Sequence, residues 1–346
     1  MKLSYLLPLL VSVLMTACSG DDVIESGQYE EQDDVTLERE YYQVSLDFCG
    51  EISVEQTPLS SSTRSDSSTD DVYGINVYYD EECDGEQDDI YGYGIFSDKS
   101  MMTISLLTGH VYKFVCTMVE DGMNTLYINS KGRIGYPFQI GRNTLTTISN
   151  EFICGTNYYL IGIGSGNTHT SSISTMTTSN YETCPSVSRY YGETSDYEPT
   201  EGGTVSIYLK RTSFGAKFNI SGVEECTVTA SCGSFWSISS ISSDYEGSST
   251  IYTFPDVEGC WADEDYSITE TLSLSYTVER GYTTETSITE SITFKRNVLT
   301  VVNMTVSPDL SSATFTFDEE EMDEDNIIEI DLDGDGVITV VVDPTE

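Results

Sequence analysis

Apolar and polar residues alternate along most of this chain with a period of two. Residues 42–48 give the first clear example, and the longest runs cover residues 266–279, 284–296 and 298–306. Such alternation is typical of a β-strand that buries one face and exposes the other. Shorter runs recur between positions 72 and 118, at the roughly 8–12-residue spacing of sandwiches and barrels. The pattern predicts an all-β protein without a substantial helix.

Several segments lack this alternation. Residues 1–17 join Lys2 to an apolar run that is shorter than the about 20 residues a membrane span needs, which is typical of a signal peptide. Residues 18–40 carry nine acidic residues and a single base, Arg39, and are predicted to be a disordered tether because they have too little apolar surface to fold. Residues 57–71 form a Ser-rich linker whose one basic residue is Arg64. Residues 164–199, rich in Ser, Thr, Gly and Tyr, are predicted to be a loop.

The end of the signal segment contains a candidate lipidation site. Thr16 and Ala17 stand directly before Cys18 and resemble a bacterial lipobox, and the acidic residues after it resemble the export tag of Bacteroidota surface lipoproteins. The resemblance implies cleavage before Cys18, lipidation of Cys18 and exposure on the cell outer membrane. The alternative is an ordinary secretory signal that contains a cysteine.

The charge balance narrows the classes of partner. The net charge is −43, and there are 58 acidic residues against 15 Lys and Arg. Such a charge repels the phosphates of nucleic acids and anionic lipid headgroups and favours cation binding. With two histidines in the chain, imidazole-based metal sites and catalysis have few positions. We therefore expect no nucleic-acid partner.

Eight cysteines remain when Cys18 is assigned to the lipid. An even number in an exported protein permits disulfides, but a chain of this length does not need them to fold. Cys226 and Cys232 are too far apart to pair within one continuous strand. Buried free thiols that act as small apolar side chains are the alternative.

Several segments together resemble the fimbrillin-like surface lipoproteins of Bacteroidota. They are Cys18 with its acidic tether, Thr63-Arg64 in the Ser-rich linker, and the strand-like segments 72–78, 209–218 and 294–306. The resemblance implies two transthyretin-like β-sandwich domains in tandem after a disordered lipidated tether. It also implies export as a lipoprotein and, in fimbrial members, cleavage by an arginine-specific protease that frees a groove for a neighbour's strand. Arg64 stands where such a cut would fall, although one arginine in a Ser-rich loop is also common without that role.

The predicted domain organisation follows from these segments. It comprises the signal peptide at 1–17, the tether at 18–40, an N-terminal β-sandwich at 41–200 with the linker at 57–71, a C-terminal β-sandwich at 201–310, and an acidic tail with a β-hairpin at 311–346.

The acidic tail also contains a candidate metal site. Asp331, Asp333 and Asp335 precede Gly336 with the spacing of the first half of a calcium loop, but position 12 is Val342 rather than a glutamate. The alternative is a hairpin turn, which Asp-Gly pairs favour. Asp80, Glu82 and Asp84, before Gly85, repeat the spacing.

No motif indicates catalysis, and we expect that the protein is not an enzyme. Tyr190, Tyr191 and Tyr197 are close enough in sequence to suggest a surface for stacking on sugar rings. The leading hypothesis is a structural or adhesive fimbrillin-like subunit of the cell surface that assembles by strand exchange. Its partners are then the outer membrane, other fimbrial subunits and host surface ligands. The alternative is a surface module that binds calcium or glycan and does not polymerise.

Overall fold

A computed structural model describes residues 40–51, 70–82, 86–140, 145–155, 161, 187–224, 226–279, 283–307 and 312–322. These residues fold into strands with two short α-helices and one 3-10 turn at Lys99–Met101. The all-β prediction is confirmed. The two-domain transthyretin-like arrangement, with a boundary at residue 200, stays a prediction.

The strands of the first sheet and of its small neighbour come from the first part of the chain. Their bounds are β1 Tyr41–Gly50, β2 Val72–Tyr79, β3 Asp89–Phe96, β4 Thr103–Leu107, β5 Tyr112–Val119, β6 Arg133–Ile134, β7 Thr146–Thr147, β8 Phe152–Cys154, β9 Arg189–Tyr197 and β10 Thr204–Arg211, with helix α1 at Gly122–Thr125.

The remaining strands form two further sheets. Their bounds are β11 Ser213–Ser221, β12 Cys226–Cys232, β13 Trp236–Ile241, β14 Tyr245–Glu246, β15 Thr250–Thr253, β16 Ser267–Glu279, β17 Thr283–Lys295, β18 Val298–Val306 and β19 Ala313–Glu321, with helix α2 at Val257–Ala262.

The first sheet folds over on itself. Its strand order is β4-β1-β10-β9-β5-β2-β3-β8, and β10 meets β9 through the pairs Lys210–Tyr191 and Arg211–Tyr190. Inward side chains of β4, β1 and β10 share one core cluster with those of β2 and β5. The segment β4-β1-β10 is therefore one layer of a sandwich, and the segment from β9 to β8 is the other.

The second layer is covered on both faces. Tyr73 and Ile75 of β2 belong to the core between the layers, whereas Val72 belongs to another cluster on the far side. Val257 of α2 also joins that far cluster. Because both faces of β2 are buried, its sequence is apolar almost throughout rather than alternating.

The other two sheets enclose a separate core. Their orders are β14-β11-β18-β19, with β15 also on β11, and β13-β12-β16-β17. Phe214 of β11 is fully buried at the centre of this core. Its ring lies 4.8 Å from that of Phe254 and 5.0 Å from that of Phe294, between ring centroids. Aromatic packing thus holds these two sheets together.

A single residue separates β10 from β11. Thr212 is buried, and both its backbone amide and its hydroxyl donate to the carbonyl of Arg189, at 2.7 and 3.2 Å. The chain therefore passes from the first sheet to the second without a flexible linker.

The predicted loop at 164–199 is wrong at its end, because residues 189–197 form β9. This strand lies in the middle of the first sheet, and its first four residues are all buried. A strand buried on both faces loses the alternation that identifies one from sequence.

The described cysteines are free thiols. Cys116, Cys226, Cys232 and Cys260 are buried, and burial raises the pKa of each thiol. Cys226 and Cys232 lie at the two ends of β12, in agreement with the prediction that they are too far apart to pair.

We predict that Phe214→Ala lowers the free energy of unfolding by about 3–5 kcal/mol, because it leaves a cavity among four aromatic rings. Phe317→Ala is the matched control, since Phe317 on β19 is 39% exposed, and we expect it to cost about 0.5 kcal/mol. Urea denaturation followed by fluorescence measures both. Equal losses would contradict the central position of Phe214.

Candidate functional site

The first strand of the described chain, β1, lies between two strands that are distant from it in sequence. It pairs antiparallel with β4, with Val44 opposite Ile104, and parallel with β10, with Leu46 opposite Val205. Strands β2 to β19 all follow β1 in the sequence. If β1 left, it would vacate a slot between β4 and β10 without interrupting the backbone of the described strands that follow.

Side chains on β1 divide cleanly between the two faces of the layer. Val44 and Leu46 point into the core at 1% and 8% exposure, and Gln43 and Ser45 are exposed. Phe48 is half-buried, and its ring centroid lies 5.0 Å from that of Tyr73 on β2. The slot therefore fits an extended segment with apolar residues at every second position.

Backbone hydrogen bonds hold β1 on both edges. The Leu46 amide donates to the Met102 carbonyl at 3.1 Å on the β4 side, and the Ser45 amide donates to the Gly203 carbonyl at 3.1 Å before β10. Such bonds depend on the extended shape of the backbone and not on the identity of the side chains. Another strand with the same spacing of apolar residues could make them equally well.

The end of β1 is fixed to the second part of the fold by an ion pair. Arg296 donates through Nη1 to both carboxylate oxygens of Glu51, at 2.8 and 2.6 Å, and the Arg211 amide donates to Glu51 Oε2 at 2.9 Å. The Arg296 side chain is 9% exposed. Burial alone would raise the pKa of Glu51, but the hydrogen bonds from Arg296, the Arg211 amide and Asn297 outweigh it and hold that pKa below its ordinary value. We call Glu51 and Arg296 the end clamp of β1.

Gly50 allows the close approach that the end clamp requires. Its φ is +112°, and a Cβ at this position would overlap the carbonyl of Leu209 on β10. A glycine is the residue that tolerates both conditions. It lets the chain turn from the ladder so that Glu51 reaches Arg296.

Most of the sequence-predicted site residues lie outside the described residues. These are Cys18, Arg64, Asp331, Asp333, Asp335 and Asp84. Lipidation, cleavage and calcium binding at these positions stay predictions. Among the residues that the structure does describe, no three metal-ligating side chains are grouped closely enough to hold a metal ion. No helix within that described part is long and apolar enough to span a membrane.

Of the second acidic motif, Asp80, Glu82 and Asp84, the structure describes the first two residues. Asp80 is buried, and its backbone carbonyl lies 2.7 Å from Nδ1 of His110. Glu82 is exposed. The two acids therefore lie in different environments, which does not support their joint use as calcium ligands.

The predicted sugar-stacking surface is wrong for two of its three tyrosines. Tyr190 and Tyr191 lie on β9 and are buried. The Tyr190 hydroxyl accepts from Nη2 of Arg211 at 2.8 Å, and the Tyr191 ring packs against Trp261 with centroids 6.2 Å apart. Their clustering in sequence reflects the doubly buried strand and not an exposed platform.

Sequence reasoning missed the end clamp, although the sequence contains a usable signal. Bases are scarce, with 15 Lys and Arg in the chain, and Arg296 directly follows Lys295 at the end of an alternating run. A base at such a position in an acidic chain indicates a specific carboxylate partner. Its identity as Glu51 depends on the fold, because the pairing joins distant parts of the sequence.

No family model matches the chain, and no curated protein matches it in sequence. The chain aligns at low identity with solved structures of Bacteroidota proteins.

One is a candidate cell adhesion protein from Bacteroides eggerthii, at 12% identity and a TM-score of 0.33, with 82% of this chain and 96% of that chain covered. Another is a fimbrial assembly protein from Parabacteroides distasonis, at 11% identity and a TM-score of 0.31, with 81% and 95% covered. A third is the fimbrial anchor protein Mfa2 from Porphyromonas gingivalis, at 9% identity and a TM-score of 0.30, with 81% and 98% covered. These values do not assign a function to the chain.

We predict that Glu51→Gln destabilises the protein by about 1–3 kcal/mol at neutral pH, because it leaves the largely buried Arg296 charge without its carboxylate. The folded-state pKa of Glu51 lies below its ordinary value of 4.5. The stabilisation is therefore fully present above pH 4.5 and is lost as the pH falls through the folded pKa. The difference in melting temperature between the two proteins should shrink on acidification.

Glu264→Gln is the matched control for this substitution. The Glu264 carboxylate is 80% exposed and lies 3.5 Å from Lys210, so its loss should cost less than about 1 kcal/mol. A Glu51→Gln protein as stable as this control at pH 7 would contradict the end clamp.

Proposed function

We propose that the chain is a fimbrillin-like, lipid-anchored subunit of the cell surface that assembles by exchange of β1 for a strand of a second copy. The observation that carries the proposal is the position of β1. It is the first described strand, it fills a core-lined slot between β4 and β10, and its bonds there are mainly those of a backbone ladder. The role is structural or adhesive and involves no reaction.

The order of features along the sequence links the anchor to the slot. Cys18, the tether and β1 all precede Arg64, and β2 follows it. A cut after Arg64 would place the lipid and β1 on one fragment and the rest of the described fold on the other. The two fragments would remain together for as long as β1 stays in the slot. Departure of β1 would then release the body from its own anchor and open the slot in the same step.

The acidic tail supplies a segment of matching pattern for the slot. In β1 the inward residues Val44, Leu46 and Phe48 alternate with Ser45 and Asp47. In the tail, Ile328, Ile330 and Leu332 alternate with Glu329 and Asp331 at the same spacing. We therefore propose that the incoming strand comes from residues 327–333 of another copy. Calcium binding at Asp331, Asp333 and Asp335 would compete with this use and stays a separate prediction.

We predict that an arginine-specific protease converts the mature protein into oligomers that resist SDS without boiling, and that Arg64→Ala abolishes this conversion. The reason is that the cut frees β1 to leave the slot. Arg39→Ala is the matched control, because a cut after Arg39 lies before β1 and cannot release it from the body. Gel electrophoresis of unboiled samples measures the oligomer ladder.

Two outcomes of this experiment would contradict different parts of the proposal. An unchanged ladder from Arg64→Ala would show that cleavage at Arg64 is not the trigger. Complete cleavage at Arg64 that yields only monomers would rule out strand exchange. It would not test the lipid anchor.

We predict that Ile330→Asp abolishes the ladder without affecting cleavage, because a charge would have to enter the apolar interior of the slot. Glu329→Gln is the control, since its position in the alternation corresponds to the exposed Ser45, and it should polymerise like the unchanged protein. A normal ladder from Ile330→Asp would mean that another segment supplies the strand.

A further inference from the structure

The two strands that flank β1 have carbonyl groups that point away from it. In the ladder with β4, Leu46 bonds to Met102, and Thr108 donates to Glu40. Because successive residues of a strand direct their polar groups to opposite sides, the carbonyls of Ser105 and Leu107 face the free side of β4. On the β10 side, Gly203 accepts from Ser45 of β1, and Leu209 accepts from Glu51, which directly follows β1.

By the same alternation, the carbonyls of Ser206 and Tyr208 face away from β1 on the other side. All four of these outward carbonyls accept a hydrogen bond from a side chain. On β4, Ser105 accepts from the Tyr91 hydroxyl at 2.5 Å, and Leu107 accepts from the Tyr112 hydroxyl at 3.0 Å. The donors come from β3 and β5, in the opposite layer of the sandwich.

On β10 the donors come from two different elements. Ser206 accepts from Thr194 Oγ1 at 2.7 Å, and Tyr208 accepts from Trp261 Nε1 at 3.0 Å. Thr194 lies on β9, and Trp261 lies on α2, which packs against the first sheet. We call these four hydrogen bonds the wall bonds of the slot.

From this arrangement we infer that the wall bonds hold β4 and β10 in place independently of β1, so that the slot persists when β1 leaves and accepts a strand of a second copy in the register of β1. The inference rests on the proposed function in its choice of occupant. On β4, which is an edge strand, the wall bonds also occupy the carbonyls at which another strand would otherwise add, and they thereby direct pairing into the slot.

The protonation state of the donors suits this role. Burial raises the pKa of the Tyr91 hydroxyl to about 12 and raises that of the Tyr112 hydroxyl further. Both hydroxyls therefore keep the proton that they donate at neutral pH. The ring centroids lie 5.1 Å apart in a T-shaped contact, which fixes their direction toward β4.

The test uses the full mature chain with β1 displaced by Val44→Asp and Leu46→Asp, without proteolysis. A fluorescent synthetic peptide of residues 40–51 is the probe, and anisotropy measures its binding. We expect the peptide to bind this protein and to bind at least about tenfold more weakly when Tyr91→Phe and Tyr112→Phe are added. Thr194→Val on the other wall should weaken binding by a smaller factor, because it removes one bond rather than two.

Tyr93→Phe is the matched control. It removes a hydroxyl from the same strand as Tyr91, but its ring belongs to the core cluster on the far side of the layer, and peptide affinity should stay unchanged. Equal affinity with and without the Tyr91 and Tyr112 hydroxyls would overturn the inference.

Loss of the folded state in the β1-displaced protein would also overturn the inference, because the walls would then depend on β1. Near-ultraviolet circular dichroism detects that outcome, and the milder pair Val44→Ala and Leu46→Ala checks that charge alone did not cause it. Peptide binding that depends on the wall bonds, in a protein that forms no SDS-resistant oligomers after cleavage, would support the inference and reject the proposed assembly.

Discussion

The first sandwich is completed by a pairing between two strands from distant parts of the sequence, β1 and β10. Until β1 lies against β10, the layer that covers the core has a gap between β4 and β10, and apolar residues such as Val205 and Ile207 lack a neighbour on one side. A contact between distant segments forms at a high cost in chain entropy and tends to form late. The strand that closes the core also precedes every other described strand, so its departure leaves the backbone of the strands that follow it uninterrupted.

Two of the few basic residues in this chain, Arg211 and Arg296, hold the end of β1 in place. Arg296 reaches from the turn after β17 to the end of β1, and Arg211 at the end of β10 offers its amide to Glu51 and its guanidinium to Tyr190. With Thr212 bonded to Arg189 at the crossing between the sheets, the end of β1 is held at the same place where the first and second parts of the fold meet. Release of β1 therefore requires the Glu51–Arg296 ion pair at this junction to break, in addition to the backbone hydrogen bonds that β1 makes with β4 and β10.

The sequence pattern predicted strands well where one face of the strand is exposed to solvent. Residues 42–48, 266–279, 284–296 and 298–306 alternate, and they correspond closely to β1, β16, β17 and β18. It failed at β9, where consecutive residues such as Tyr190 and Tyr191 are buried on opposite faces and no alternation remains. The end clamp and the wall bonds could not be predicted at all, because each joins a side chain to a partner that only the three-dimensional fold brings near.

A chain made almost wholly of strands must keep its sheet edges from pairing at random, and three of the described edge strands show how this is done. At one edge of the first sheet β8 is three residues long, and at the other β4 has outward carbonyls already occupied by tyrosine hydroxyls. Near its end, edge strand β19 carries the exposed carboxylates Asp318, Glu319 and Glu320, which repel a second strand of this acidic protein.

A slot within a sheet differs from such edges, because it offers two ladders and an apolar floor at once. A strand that enters it gains hydrogen bonds on both sides and buries every second side chain, whereas addition to an edge gives one ladder and little burial. Protecting the edges while leaving the slot covered by a removable strand thus separates specific assembly from aggregation. The same physics of strand pairing serves both, and the difference lies in which backbone groups are already occupied.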